Sequence, residues 1–202
     1  MTSINKFFFY VLFFISGVAG LGYEILWARM LSAGLGHEIV SVLAVVSAFF
    51  SGLALGAWCL DRPVSKSANP EKWYALLEVI IGLWALALIF ILPGLNRFVS
   101  SLIGTEPSIW RHWSISFLYP LVILLPATAA MGGTLPAMDR IFEKTGNERN
   151  AVAGLYSINT LGAVAGTFLV TFWLLPSMGM NRSSIVLVLA NFIGAVGILA
   201  IT

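Results

Sequence analysis

The sequence predicts an all-α, polytopic membrane protein with six transmembrane helices, and three observations carry that class. Of 202 residues, 59% are hydrophobic and 10% are charged, against about 25% charged residues in a soluble globular domain. Mean hydropathy is +0.93. Apolar windows long enough to cross about 30 Å of hydrocarbon recur along the chain, and the segments between them are too short for a soluble domain. Residues 1–202 therefore read as one transmembrane domain. The net charge of +2 gives no basis for nucleic-acid binding, and no basic helix or aromatic-basic RNA motif is present.

The six expected spans are Phe7–Ala33, Ile39–Leu60, Trp73–Leu92, Trp113–Met138, Ala151–Leu175 and Ser183–Ile201. The first follows Lys6 and runs too far to resemble a cleaved leader, so it is expected to remain as a span. The second carries Ala48, Gly52 and Gly56 on one helical stripe, and the fifth carries Gly162 and Gly166 in the same way. Small residues at that spacing let backbones approach, which matters where lipid gives helices little hydrophobic reason to associate. Cys59, the single cysteine, is expected as a buried small hydrophobe. Between spans three and four, Pro93–His112 is expected as a loop with a short interfacial helix. Span four holds Pro120, Pro126, Gly132, Gly133 and Pro136, so it is expected to be kinked or partly broken. Helix packing and coordination of a polar species both remain open for it.

An even number of spans puts both termini on one side. That side would hold Lys6, Arg62, Lys66, Lys72, Arg140, Lys144 and Arg149; the other holds Arg29, Arg97, Arg111 and Arg182. The bias predicts that both termini lie in the cytoplasm. Trp58 and Trp73 would mark the inner interface, and Trp27, Trp110, Trp113 and Trp173 the outer one. Trp84, at mid-span, is expected to pack between helices. The glycine patterns of spans two and five suggest repeats over 7–92 and 113–201, a three-plus-three inverted arrangement resembling half of a major-facilitator transporter.

The costly residues are the polar ones inside. Glu24 lies 17 residues into the first span, roughly 25 Å along its axis, with Arg29 one and a half turns further on and Tyr23 and Trp27 alongside. Five residues leave Glu24 and Arg29 about 140° apart, so they do not form an i,i+4 pair. Their partners are expected on other helices, with Arg111, His112 and Tyr119 at similar depth. Glu78 is expected to snorkel toward the cytoplasmic interface. Asn159 lies two turns into span five. These residues are the candidates for substrate or partner contact, and a structural cluster that fixes helix register is the competing reading. No catalytic, cofactor or metal motif is present; His37 and His112 are isolated, and Gly20 and Gly22 sit in a membrane helix rather than a strand-turn-helix unit.

The stretches "SGVAGLGYEILWARMLSAGLG", "AFFSGLALGAW", "LLPATAAMGGTLPAMDR" and "GLYSINTLGAVAGTFLVTFWLLPSMGM" resemble, in order and spacing, the membrane module of bacterial membrane-bound spermidine-synthase-like proteins. Those are described as fused major-facilitator-like and spermidine-synthase proteins. The resemblance implies a membrane module that in the family commonly precedes a soluble aminopropyltransferase-like domain. Nothing in this sequence corresponds to that domain's glycine-rich nucleotide loop, so its activity is not carried over. "GAWCLDRPVSK" further resembles the loop after the second span of major-facilitator transporters, with Asp61 and Arg62 at its acidic-basic end.

Three functions follow as expectations. The first is a non-catalytic membrane subunit, embedded in lipid, that assembles with other subunits or a second copy of itself. An aminopropyltransferase-like protein would be one such partner, and the ligand would be polyamine-like or amphiphilic. The second is a half-size small-molecule transporter working as a dimer. The third is a membrane enzyme using Glu24.

Overall fold

The computed structural model describes residues 3–35, 38–144 and 151–202, so His37 and Arg149 lie outside the described residues. Helix α1 spans Ser3–Leu35, α2 Glu38–Ser65, α3 Pro70–Ile103 and α4 Ile109–Lys144. Helix α5 (Ala151–Leu169) runs through a π-helical turn (Val170–Leu174) into α6 (Leu175–Ile201). Among the described residues, five helical runs are long and apolar enough to cross a membrane. At 1.5 Å per residue, the 33 residues of α1 extend for about 50 Å, well beyond a hydrocarbon core.

Six spans were expected and five such runs are found, because the last two expected spans lie in one stretch, Val152–Ile201. No polar loop interrupts it. Its only non-helical residue is Gly179, with φ 75° and ψ 175°, a left-handed conformation that glycine adopts without steric cost. Both arms of the run lie against α1. Val170 and Leu187 flank Gly22 together, and Gly162 and Gly197 lie against Phe14 and Leu12.

Three further expectations are corrected. Helix α3 continues through Pro93 to Ile103, so the expected loop Pro93–His112 shrinks to residues 104–108. The apolar pattern explains the extension, since Asn96, Val99 and Ile103 are all buried. Helix α4 is continuous through Pro120, Pro126 and Pro136 rather than broken. Trp84, as expected, packs between helices, and its Nε1 donates to the Ile123 carbonyl of α4 at 2.8 Å. Cys59 is exposed on α2, because the buried stripe of that helix is the glycine stripe instead.

Two tight crossings organise the bundle. At the first, Gly52 meets the side chain of Thr128, Gly56 meets the backbone of Ala129, and Gly132 meets the backbone of Leu53 and Ala57. At the second, Gly162 and Gly166 meet the backbones of Phe14 and Val18, and Gly17 meets the backbone of Asn159. Thus α2 lies on α4 much as α5 lies on α1, and α3 lies on α6. Each crossing brings backbones to a distance that any larger side chain would prevent. The stripes expected from sequence are packing stripes here, and Gly132 and Gly133 belong to them; Gly133 abuts Leu60 and Leu77.

The connections sort to two ends. At one, Lys144 donates to the Ala68 carbonyl and lies 3.6 Å from Glu71, tying the end of α4 to the α2–α3 turn. At the other, Arg111 donates to the Ile103 carbonyl at 2.9 Å, and His112 lies 3.4 Å from the Leu35 carbonyl.

Candidate functional site

The polar interior of the bundle lies between α1, α3 and α6. Glu78 begins the third turn of α3, about 12 Å from its first residue by helical rise. The expected snorkelling is not seen, because its side chain is fully buried. Asn191 of α6 donates from Nδ2 to Glu78 Oε2 at 2.6 Å. The Tyr23 hydroxyl of α1 donates to Asn191 Oδ1 at 2.7 Å. The Ser16 and Tyr74 hydroxyls lie beside the same carboxyl, while Gly194 leaves room for it. Among the described residues, Glu78 Oε1 and the Tyr74 hydroxyl have no hydrogen bond of ordinary geometry, and no cation pairs with Glu78. The ion pairs described are Arg140–Glu143 and Lys144–Glu71, both at the α4 end.

Local structure explains how the network forms. Tyr23 and Ser16 lie two turns apart on α1 and so share a face. Tyr74 and Glu78 are four apart on α3, so they stack on its inner side. Trp27 lies four residues beyond Tyr23, and the two rings stack 5.0 Å apart with an interplanar angle of 10°. Trp27 is 1% exposed, so it is a core residue and not the outer-interface anchor expected from its position. Exposed Trp58, Trp110, Trp113 and Trp173 fit the interfacial role better.

A second polar node sits toward the other end. Asn96 of α3 donates from Nδ2 to the Met30 carbonyl at 2.6 Å and accepts from the Tyr119 hydroxyl at 2.7 Å. The node crosses α1, α3 and α4, and Gly34 lets Asn96 come close to α1.

Glu24 and Arg29 belong to neither node. Both line a groove of about 450 Å³ between α1 and α2, whose other walls include Ile39, Val42, Leu43 and Val46. Glu24 is half-buried and Arg29 exposed. Among the described residues neither side chain has a hydrogen-bond or ion-pair partner, and their expected partners are engaged elsewhere. Arg111 and His112 face carbonyls of the loop end, and Tyr119 bonds Asn96. Asn159 stands apart as well, its backbone forming the α1–α5 crossing at Gly17.

Of the six candidates for contact, the structure therefore joins Tyr23, Trp27 and Glu78 in one region and Glu24 and Arg29 in another. Asn191, Tyr74 and Asn96 were missed. Asn191 is a single amide in a strongly apolar span, and that cost was a usable signal. No group of three or more metal-ligating side chains occurs among the described residues.

The chain is similar to the polyamine aminopropyltransferase of Leptospira interrogans, with 23% identity over 90% of this chain and 33% of that protein. It is likewise similar to polyamine aminopropyltransferase 2 of Ralstonia nicotianae, with 24% identity over 88% of this chain and 32% of that protein. The chain thus spans about a third of the length of the curated relatives it matches. No known family profile matches it, and no solved structure matches it. These distant relationships fit a spermidine-synthase-like affinity, and the apolar helices fit a multi-pass membrane protein.

Proposed function

We propose that this chain is a non-catalytic membrane module that works with an aminopropyltransferase-like protein and binds a polyamine-like ligand among α1, α3 and α6. The observation that carries this reading is the fully buried Glu78 carboxyl with no cation beside it among the described residues, its Oε1 lacking a hydrogen bond of ordinary geometry although the Tyr74 and Ser16 hydroxyls lie close. Buried polar groups in native proteins are nearly always bonded, and a carboxylate that holds one amide donor but no cation is costly in an apolar bundle. A primary ammonium brings one positive charge and three N–H donors. Glu78, Tyr74 and Ser16 would be its acceptors, with the methylene chain of a polyamine against the surrounding apolar side chains. The names of the distant relatives favour the same ligand class. Equilibrium binding of labelled spermidine to the chain in lipid nanodiscs, with Glu78→Gln alongside, tests the assignment. Equal binding by both forms would remove it.

The topology that accompanies this reading has six crossings, the last two joined at Gly179, with both termini cytoplasmic in a bacterial inner membrane. A half-size transporter that dimerises is the second reading. It is favoured by one specific feature: exchanging α1–α2–α3 for α4–α5–α6 turns the α1–α5 crossing into the α4–α2 crossing and maps α3–α6 onto itself. That is the contact pattern of a three-plus-three repeat over 7–92 and 113–201.

A further inference from the structure

We infer that the α1–α2 groove is the interface between two copies of this chain, closed by Glu24 of each copy pairing with Arg29 of the other. The inference rests on the membrane reading above and names the partner that the groove takes.

Two side chains of opposite charge line one groove without meeting. Glu24 is half-buried and Arg29 exposed, both border the same space of about 450 Å³, and neither has an ion-pair or hydrogen-bond partner among the described residues. Within one helix they are separated by about 7.5 Å of rise and 140° of rotation, which keeps them apart. An unpaired carboxylate at this depth is costly, so an occupant of the groove must supply a cation at the level of Glu24.

The charge pattern selects the occupant. A cationic ligand would satisfy Glu24 but be repelled by Arg29. A lipid phosphate would satisfy Arg29 and leave Glu24 bare. The groove calls for an occupant that carries both signs, and a second copy brings one carboxylate and one guanidinium to it. Two copies in one bilayer share an orientation, so their two-fold axis runs along the membrane normal and preserves depth. Such an interface is isologous, with each contact made twice. Helical side chains lean toward the helix N-terminus, so the long Arg29 stem lowers its guanidinium toward the level of Glu24 on the facing copy. Around these charges, Ile39, Val42 and Leu43 are 76%, 46% and 50% exposed and form an apolar rim that excludes water and strengthens the pairs.

Charge reversal in two differently tagged copies tests this. Each form is first checked for retention in carbonate-washed membranes, then purified gently for tag co-capture and intact-complex mass. The parent should be recovered at twice the chain mass of 21.8 kDa. Glu24→Arg alone and Arg29→Glu alone should each lower co-capture roughly tenfold or more, the size seen when like charges replace a close interfacial pair. Co-expression of the two single variants should restore assembly, because one copy then carries two positive groups and the other two negative. The double variant Glu24→Arg/Arg29→Glu should assemble with itself. A monomeric parent would overturn the inference, as would single variants that assemble like the parent or a mixed pair no better than either variant alone. Release of the parent from washed membranes would instead overturn the membrane reading itself.

Discussion

Replacing Gly56 by alanine tests the packing on which the whole bundle depends. A Cβ at this position would stand 2.6 Å from the Ala129 carbonyl carbon and 2.7 Å from its Cα. Non-bonded carbons rest about 3.5–4.0 Å apart, so α2 and α4 would have to separate by roughly 1 Å. The atoms opposite are backbone and have no rotamer with which to retreat. Overpacking of this kind costs about 1–3 kcal/mol, and the helix-propensity gain of glycine to alanine returns at most about 1 kcal/mol. A net loss of about 0–2 kcal/mol follows for alanine, toward the upper end because the Ala129 carbonyl oxygen lies closer still than these carbons, and more for leucine. Gly20 provides the internal comparison, since nothing lies within 4 Å of a Cβ built there. Gly20→Ala should be neutral or slightly stabilising, and Ala54→Leu, on an exposed face of α2, should be nearly neutral. Unfolding of the purified protein in mixed micelles, titrated with a denaturing detergent, reads all four forms. If Gly56→Ala and Gly20→Ala unfold together at the parent midpoint, α2 and α4 do not meet as described.

Two other outcomes are expected. Asn96→Ala removes hydrogen bonds to both Met30 and Tyr119 and should destabilise by about 1–3 kcal/mol; Tyr119→Phe should cost less in the same unfolding assay, because Asn96 keeps its bond to Met30. In a Cys59→Ser background, cysteine at Asn181 or Ser101 should react with an impermeant reagent from outside, and cysteine at Ser67 only once the inner face is opened. An Asn181 cysteine protected until then would refute the six-crossing topology.

Much of this architecture was legible in the sequence, and the residues show why the rest was not. Gly52, Gly56, Gly162 and Gly166 were readable as contact stripes because lipid-embedded helices need close approach and glycine spacing encodes it. A connection between spans was expected between Leu175 and Ser183, yet helical bonding runs almost uninterrupted through it, with Gly179 as its one non-helical residue. Proline was over-read. Pro93 and Pro126 leave carbonyls short of a donor, but buried surface on either side holds α3 and α4 continuous. Glu24, Glu78 and Asn159 were singled out by the cost of polarity in an apolar span, and that criterion applies equally to Asn191. Which polar groups meet was beyond the sequence, because Glu78 and Asn191 are 113 residues apart and only the packing of α3 on α6 joins them. Trp27 shows the same limit: depth along a helix points to an interface, while rotation about its axis decides that the ring faces the core.

The most direct test of the account is the affinity of labelled spermidine for the parent chain and for Glu78→Gln in nanodiscs, compared at equal amounts of inserted, folded protein. Glutamine keeps the size of Glu78 and retains an acceptor for Asn191, but it removes the charge that a buried ammonium requires. Hydrogen bonds to charged groups are worth about 1.5–3 kcal/mol, so the substitution should weaken binding by roughly tenfold to a hundredfold, and Tyr74→Phe should weaken it less. Saturable binding by the parent with that loss in Glu78→Gln is the predicted result. The same affinity in both forms, or no saturable binding by the parent, would contradict the account.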